Sequence, residues 1–188
     1  MEKAVKEIRL VDMRTAEEEG MTVEGYATVF DTVTDLGWMK EVIDRNAFDN
    51  ADMSDIVMKY NHEDSVLPMA RTRGGSLQFT IDDHGLKIRA KLPETSTNKD
   101  IYTLIREGVL SKMSFAFTVK KQEYDYDTDT RKILEFDKIF DVSVVDVPAY
   151  ETTEIYARSK EQYEKEKRKY EEKKIAFEKQ KLELMLSL

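Results

Sequence analysis

Three side chains, Ser114, His62 and Asp141, are of the types that together perform nucleophilic catalysis. The chain of 188 residues has no cysteine and only two histidines, so it offers few other candidates and no thiol nucleophile. A serine hydroxyl attacks a carbonyl carbon when a histidine takes its proton and a carboxylate holds the imidazole in the right tautomer. If the fold brings these three together, the chemistry is hydrolysis of an acyl or peptide bond.

Ser114 interrupts an apolar strand pattern over residues 113–117. Alternation places Met113, Phe115 and Phe117 on the core face and Ser114 on the other face beside Ala116. The small alanine leaves room for a substrate carbonyl there. A hydroxyl on a lightly covered sheet face remains the simpler interpretation of the pattern alone.

The two histidines have different surroundings. His62 follows the apolar run 55–60 after one residue, Asn61, and precedes two acidic residues, so a strand end can aim its imidazole into a cleft, although a surface histidine fits the same pattern. His84 stands in the turn segment Asp82–Gly85, where we interpret it as a turn residue.

Asp141 is predicted to lie close to Ser114 across a hairpin. If the turn centres between Asp127 and Thr128, the two residues are directly opposed on neighbouring strands. A register slip of one or two residues would preserve their proximity but not their contact.

The elements that would position these residues are mainly strands. Alternation predicts two early strands within residues 8–30, a hairpin over 76–92 that turns at Gly85, and a second hairpin over 113–147. A helix is expected between Thr97 and Glu107, after an N-cap in the segment 95–97 and before Gly108. These elements predict one domain built largely from antiparallel strands.

Charge divides the chain into two parts. The total is 30 basic and 38 acidic side chains, a net charge of -8, which argues against a plain nucleic-acid binder. Residues 158–188 carry ten basic and seven acidic side chains, so this tail is +3 and residues 1–157 are -11. We therefore divide the chain into a body, 1–157, and a charged helical tail, 158–188.

The tail has a heptad pattern. An aromatic or apolar residue recurs every seven positions, at Tyr156, Tyr163, Tyr170, Phe177 and Leu184. Lysines recur at the same interval, at Lys160, Lys167, Lys174 and Lys181. Because only one of the two usual seam positions is filled, two interpretations stay open. The helix either packs on a partner or is a solvated helix supported by pairs such as Glu161 with Lys165.

Several other site classes find no support. The chain has no phosphate-binding glycine motif and no histidine and carboxylate spacing typical of a metal site, so we expect no cofactor and no metal. No stretch approaches the roughly 20 apolar residues of a membrane span, and the first residues do not read as a signal peptide. We expect a protein made in a cytoplasm.

Six ordered blocks of the body resemble the prohead (capsid maturation) serine proteases of tailed bacteriophages, a family related to the herpesvirus assemblin-type proteases. These blocks cover residues 23–30, 60–63, 70–77, 83–86, 105–117 and 140–149. The resemblance implies an α+β fold, a mostly antiparallel β-barrel with a few flanking helices, followed here by the charged C-terminal helix.

The resemblance also implies roles for individual residues. Ser114 of the M-S-F-x-F block matches the nucleophile, His62 matches the base, and Asp141 matches an acidic third member. The herpesvirus relatives use a second histidine as the third member, and His84 does not match that position. By the same resemblance, Arg71 and Arg73 are expected to order the oxyanion loop.

The activity implied is a serine endopeptidase of the Ser-His-acid type that works inside the phage procapsid in the host cytoplasm. The expected substrates are the scaffolding segment of the major capsid protein precursor and the protease itself, with self-association expected through the tail. No nucleic acid and no membrane are expected as partners. The alternatives are a non-catalytic scaffold or capsid-assembly protein with a protease-like barrel, and a protease that is latent as a monomer.

Overall fold

The structure is a computed structural model that describes residues 7–16, 20–146 and 154–186. This part of the chain contains ten strands and two helices. In chain order they are β1 (Glu7–Thr15), β2 (Thr22–Val29), β3 (Thr34–Asp35), β4 (Lys40–Ile43), β5 (Val57–Tyr60), β6 (Ala70–Arg71), β7 (Leu77–Ile81), β8 (Gly85–Lys91), α1 (Ser96–Arg106), β9 (Lys112–Asp125), β10 (Thr130–Val145) and α2 (Glu154–Leu186). Neither described helix is long and apolar enough to cross a membrane.

The strands form one curled, half-barrel sheet. Its order is β3-β4-β10-β9-β1-β2-β8-β7, and β5 pairs with both β10 and β6. Most neighbours are antiparallel, but β4 and β5 both pair with β10 in parallel. The fold is therefore α+β and mostly strand, as predicted, while closure into a barrel of the herpesvirus type stays a prediction.

The core lies on the concave side of this sheet, where alternate residues of β9 and β10 face inward. Phe115, Phe117 and Phe136 are fully buried, and the ring centroids of Phe117 and Phe136 are 4.8 Å apart. The amphipathic helix α1 contributes Ile101 and Ile105 to the same core. The other face of β9 carries the polar residues Ser114 and Thr118, and these are also buried.

Local signals predicted α1 and the first hairpin well. The side chain of Thr95 caps α1 by accepting a hydrogen bond from the Asn98 N–H, and Gly108 follows the helix with φ of +74°. Gly85, predicted to be the turn glycine of this hairpin, is instead the first residue of β8. A Cβ there would lie 2.0 Å from the carbonyl oxygen of Thr28, so this glycine permits close approach of β2 and β8.

The register of the second hairpin differs from the predicted one at the end far from the turn, where Ser114 and Asp141 lie. Next to the turn, Asp125 pairs with Thr130 as expected, but irregularities between Ile133 and Asp141 shift the pairing by two residues. Asp141 therefore lies opposite Ala116, and the prediction that it directly opposes Ser114 is wrong. Bulges insert unpaired residues into one strand and so change its register with the partner.

The tail helix α2 packs against the body of its own chain. Tyr163 is buried in a second apolar cluster with Leu36, Met39, Trp38, Tyr124 and Tyr126. Its hydroxyl donates to Asp129 Oδ1 at 2.6 Å, and Lys167 binds the same carboxylate. The hydrogen bond from Lys167 holds the pKa of Asp129 below its usual value, and burial raises that of Tyr163.

The next heptad repeats this pattern on the neighbouring acid of the turn. Lys174 Nζ lies 2.7 Å from Asp127 Oδ1, and the Tyr170 hydroxyl lies 3.4 Å from Asp127 Oδ2. Beyond them Phe177 is 68% exposed. The heptads thus match the acidic β9–β10 turn, so the first half of α2 packs on the body of its own chain and is not solvated on all sides. The division of the chain at residue 157 stays a prediction.

We expect Tyr163→Ala to detach α2 from the turn. The loss of a buried aromatic ring should lower the free energy of opening this contact by about 3 kcal/mol. Amide hydrogen exchange of residues 160–174 should therefore accelerate strongly. Phe177→Ala, two heptads later and exposed, is the matched control and should leave exchange unchanged. Equal exchange in both variants would show that the contact does not hold the helix.

Candidate active site

His62 is placed by a tight turn at the end of β5. Asn61 and His62 have φ of +51° and +59°, in the left-handed region that non-glycine residues adopt at a cost of about 1 kcal/mol each. The Asn61 N–H donates to the Val144 carbonyl at 2.8 Å, and Asn61 Oδ1 accepts from the Asp146 N–H at 3.1 Å. Strain of this kind persists where surrounding contacts hold it, and here it folds His62 back over β10.

The imidazole of His62 meets the carboxylate of Asp141. His62 Nδ1 lies 2.5 Å from Asp141 Oδ1, and the carboxylate is 1% exposed. An ionised carboxylate only accepts hydrogen bonds, so this contact places the imidazole proton on Nδ1. Nε2 is then left with a free lone pair, which is the arrangement of a general base.

Ser114 lies near the centre of the sheet on β9, with Leu10 of β1 on one side and Ser143 of β10 on the other. Because directly opposed residues share a face, Ser114 lies on the face that carries Ser143 and Asp141. Ser114 is fully buried. The sheet therefore brings all three predicted residues to one region, with Asp141 paired two residues further along β9 than predicted.

Two atoms of this region are buried without a hydrogen-bond partner among the described residues: Ser114 Oγ and His62 Nε2. Buried polar atoms are nearly always satisfied, so each such exception calls for an explanation. A hydroxyl and an imidazole nitrogen are complementary donor and acceptor. A serine hydroxyl and an imidazole nitrogen are also the kinds of group that serve as nucleophile and base in serine hydrolases.

Ser143 is a polar residue of this region that sequence reasoning missed. Its Oγ lies 3.1 Å from Asp141 Oδ1 and 3.2 Å from His62 Nδ1, and it accepts the backbone N–H of His62 at 3.2 Å. Strand alternation offered a signal, since residues two apart on one strand share a face. The position of His62 above that face could not be read from the pattern.

Arg71 and Arg73 both form ion pairs with the carboxylate of Asp55. Arg71 makes a two-point contact with Asp55, at 2.7 and 2.6 Å, and Arg73 Nε lies 3.2 Å from the same carboxylate. The hydrogen bonds from Arg71 lower the pKa of Asp55. This contact braces the start of β5 against β6, and the role of the two arginines at an oxyanion loop stays a prediction.

His84 lies in the β7–β8 turn, where its backbone N–H donates to Asp82 Oδ1 at 2.9 Å and its ring meets the edge of Tyr26 with centroids 4.5 Å apart. It belongs to a different part of the molecule from the three candidate residues. Within the described ranges, no cluster of three or more histidine, cysteine or acidic side chains could hold a metal ion.

Two proteins of known identity are similar to this chain. The chain is 29% identical over 138 residues to the prohead protease of Enterobacteria phage HK97, an alignment of 71% of this chain and 58% of that protein. The chain thus spans little more than half the length of this curated relative. The structure of the bacteriophage T4 capsid assembly protease matches with a TM-score of 0.50 at 13% identity, over 76% of this chain and 99% of that one, a likeness of fold.

A family model described as caudovirus prohead serine protease matches residues 9–168, which include both members of the His62–Asp141 pair and Ser114. This match covers most of the chain. On that ground the chain belongs to the caudovirus prohead serine proteases.

Proposed function

We propose that this chain is a serine endopeptidase of capsid maturation in which Ser114 is the nucleophile, His62 the general base and Asp141 the residue that orients the imidazole. The observation that carries the proposal is the 2.5 Å contact between His62 Nδ1 and Asp141 Oδ1. It leaves His62 Nε2 as a buried atom without a hydrogen-bond partner among the described residues. The hydroxyl of Ser114, on the neighbouring strand of the sheet, is also buried without such a partner. Membership of a serine protease family supports the same assignment.

The proposed reaction has two halves. Ser114 Oγ forms a bond to the peptide carbonyl carbon while its proton moves to His62 Nε2, and Asp141 stabilises the resulting imidazolium. Collapse of the tetrahedral intermediate breaks the C–N bond, and the imidazolium gives its proton to the leaving amine. A water then hydrolyses the acyl-enzyme, its proton passing through His62 and back to Ser114 Oγ. Backbone N–H groups would stabilise the oxyanion.

The proposed substrates follow from the family. The protein of phage HK97 is a prohead protease and that of phage T4 a capsid assembly protease. We propose that this chain cleaves the scaffolding segment of the major capsid protein precursor, and itself, inside the procapsid in the host cytoplasm. Self-association through the tail belongs to the same proposal, because α2 exposes six large apolar side chains beyond the docked heptads, at Ile175, Phe177, Leu182, Leu184, Met185 and Leu186.

The burial of Ser114 limits the access of a peptide substrate to its hydroxyl. With no exposed area on the residue, a peptide reaches Oγ only after covering segments move. This supports an enzyme that is latent in the free chain and opens on assembly. If so, the specific activity should rise with protein concentration.

A fluorophosphonate probe tests the proposal directly. The full chain, assayed at high concentration or together with its capsid precursor, should take up one label, and peptide mapping should place it on Ser114. Intact mass of the co-expressed precursor should show a shortened species. An unlabelled chain with an uncut precursor would instead indicate a non-catalytic scaffold protein.

A further inference from the structure

The hydroxyl of Ser143 joins the two partners of the His62–Asp141 contact. Ser143 is completely buried, on β10 two residues after Asp141. Its Oγ lies 3.1 Å from Asp141 Oδ1, and it accepts the His62 backbone N–H at 3.2 Å. One small side chain thus contacts both the backbone of the histidine and the carboxylate that meets its ring.

The available protons allow one consistent assignment of these contacts. Asp141 as a carboxylate offers acceptors only, so both the Ser143 O–H and the His62 Nδ1–H donate to its Oδ1. The Ser143 lone pairs are then free for the His62 backbone N–H. Ser143 Oγ is also 3.2 Å from His62 Nδ1, but its single proton serves the charged acceptor, which forms the stronger bond.

The hydrogen bond to the His62 backbone matters because of the conformation there. His62 has φ of +59°, and Asn61 before it is also left-handed. Such a conformation is maintained by the contacts around it. Without the Ser143 hydroxyl, the His62 N–H would lose its acceptor, and the carboxylate would lose one of the groups that fix its orientation.

We infer that Ser143 is a positioning residue of this active site, whose hydroxyl sets the backbone of His62 and the carboxylate of Asp141 in the mutual geometry that catalysis requires. This inference rests on the proposed function, since it assigns Ser143 a role through His62. Ser143 is not the nucleophile. Its hydroxyl is on the Nδ1 side of the ring, whereas the base must take the proton at the opposite nitrogen, Nε2.

The test compares the full chain with Ser143→Ala, Ser143→Thr and a matched control, Thr118→Ala. Thr118 lies on the neighbouring strand β9, is also buried, and donates to a carboxylate outside the site, Asp137 Oδ2, at 3.2 Å. Two experiments are compared. Steady-state kinetics gives kcat and KM for a peptide spanning a mapped cleavage site, and proton NMR follows the downfield resonance of the His62 Nδ1–H that is hydrogen-bonded to Asp141.

For Ser143→Ala we expect kcat to fall about 10- to 100-fold, with KM little changed, because a buried donor is lost and a buried N–H is left unpaired. The downfield resonance should broaden or disappear. Ser143→Thr keeps the hydroxyl and should recover most of both signals, and Thr118→Ala should match the parent. Should Ser143→Ala fail to fold, Ser143→Cys keeps the volume with only a weak donor, and the same losses are expected.

Failure of the inference can be told apart from failure of the proposed function. If Ser114→Ala is inactive while Ser143→Ala keeps both kcat and the resonance, the positioning role is overturned and the protease assignment stands. If Ser114→Ala remains active, the proposed function falls, and the resonance still decides whether Ser143 orders the His62–Asp141 contact. A fluorophosphonate label on Ser143 would overturn the inference outright.

Discussion

Replacing Ser114 with alanine is expected to reduce peptide cleavage by about 10⁵- to 10⁶-fold, the scale seen when a serine protease loses its nucleophile. The other hydroxyl of the proposed site, that of Ser143, lies beside His62 Nδ1 and not beside the base nitrogen Nε2, so we do not expect it to form the acyl-enzyme in place of Ser114. The measurement is processing of the co-expressed capsid precursor, followed by intact mass, and turnover of a peptide that spans a mapped cleavage site. Ser111→Ala, an exposed serine just before β9, is the matched control and should process normally.

The same substitution should leave the fold intact or make it more stable. Ser114 Oγ is buried without a hydrogen-bond partner, and the burial of an unpaired hydroxyl costs about 1–3 kcal/mol. Thermal unfolding of Ser114→Ala should therefore occur at the parent temperature or above it. Full processing by a folded Ser114→Ala protein would remove this residue from the nucleophile role. A large drop in stability would show that the hydroxyl is satisfied in solution.

Replacing Asp141 with asparagine is expected to lower kcat/KM by about 10⁴-fold. The amide has nearly the same shape, but it is neutral and cannot stabilise an imidazolium. Its NH₂ group can also donate to His62 Nδ1, which would move the imidazole proton to Nε2 and remove the base. The nitrogen chemical shifts of the His62 ring, compared between the parent and Asp141→Asn, should report this change of tautomer.

Asp146→Asn is the control for the acid. Asp146 is exposed near the end of the same strand and accepts the Tyr60 hydroxyl at 3.0 Å. We expect it to keep activity near the parent value. An unchanged rate in Asp141→Asn, or a larger loss in Asp146→Asn, would move the third role away from Asp141.

Local chemistry explains how much of the fold could be predicted. An N-cap in the segment 95–97 and the glycine at position 108 were enough to predict α1, because the ends of a helix are decided by neighbours in sequence. The β7–β8 hairpin was predicted for the same reason. The acidic turn was also anticipated, and the register next to it followed, since a short loop sets the first pairs.

The parts that could not be predicted depend on groups far apart in the chain. Bulges along β10 displaced Asp141 from its expected partner, and bulges have no reliable sequence signal. Docking of Tyr163 on Asp129 joins the tail helix to the β9–β10 turn, two segments that are far apart in the sequence. The heptad pattern showed that one face of the tail helix is apolar, but the pattern does not identify the surface on which that face packs.

For the proposed site, the amino-acid sequence by itself determined which side chains were available. These are Ser114 in an apolar strand, Asp141 on the next strand of the same hairpin, and His62 after the end of an earlier strand. Only the tertiary structure decided that His62 turns back over β10, that it meets Asp141 at 2.5 Å and that Ser143 lies between them. The physical reason is that this geometry depends on two left-handed residues and a shifted strand register. Both are held by contacts with distant strands.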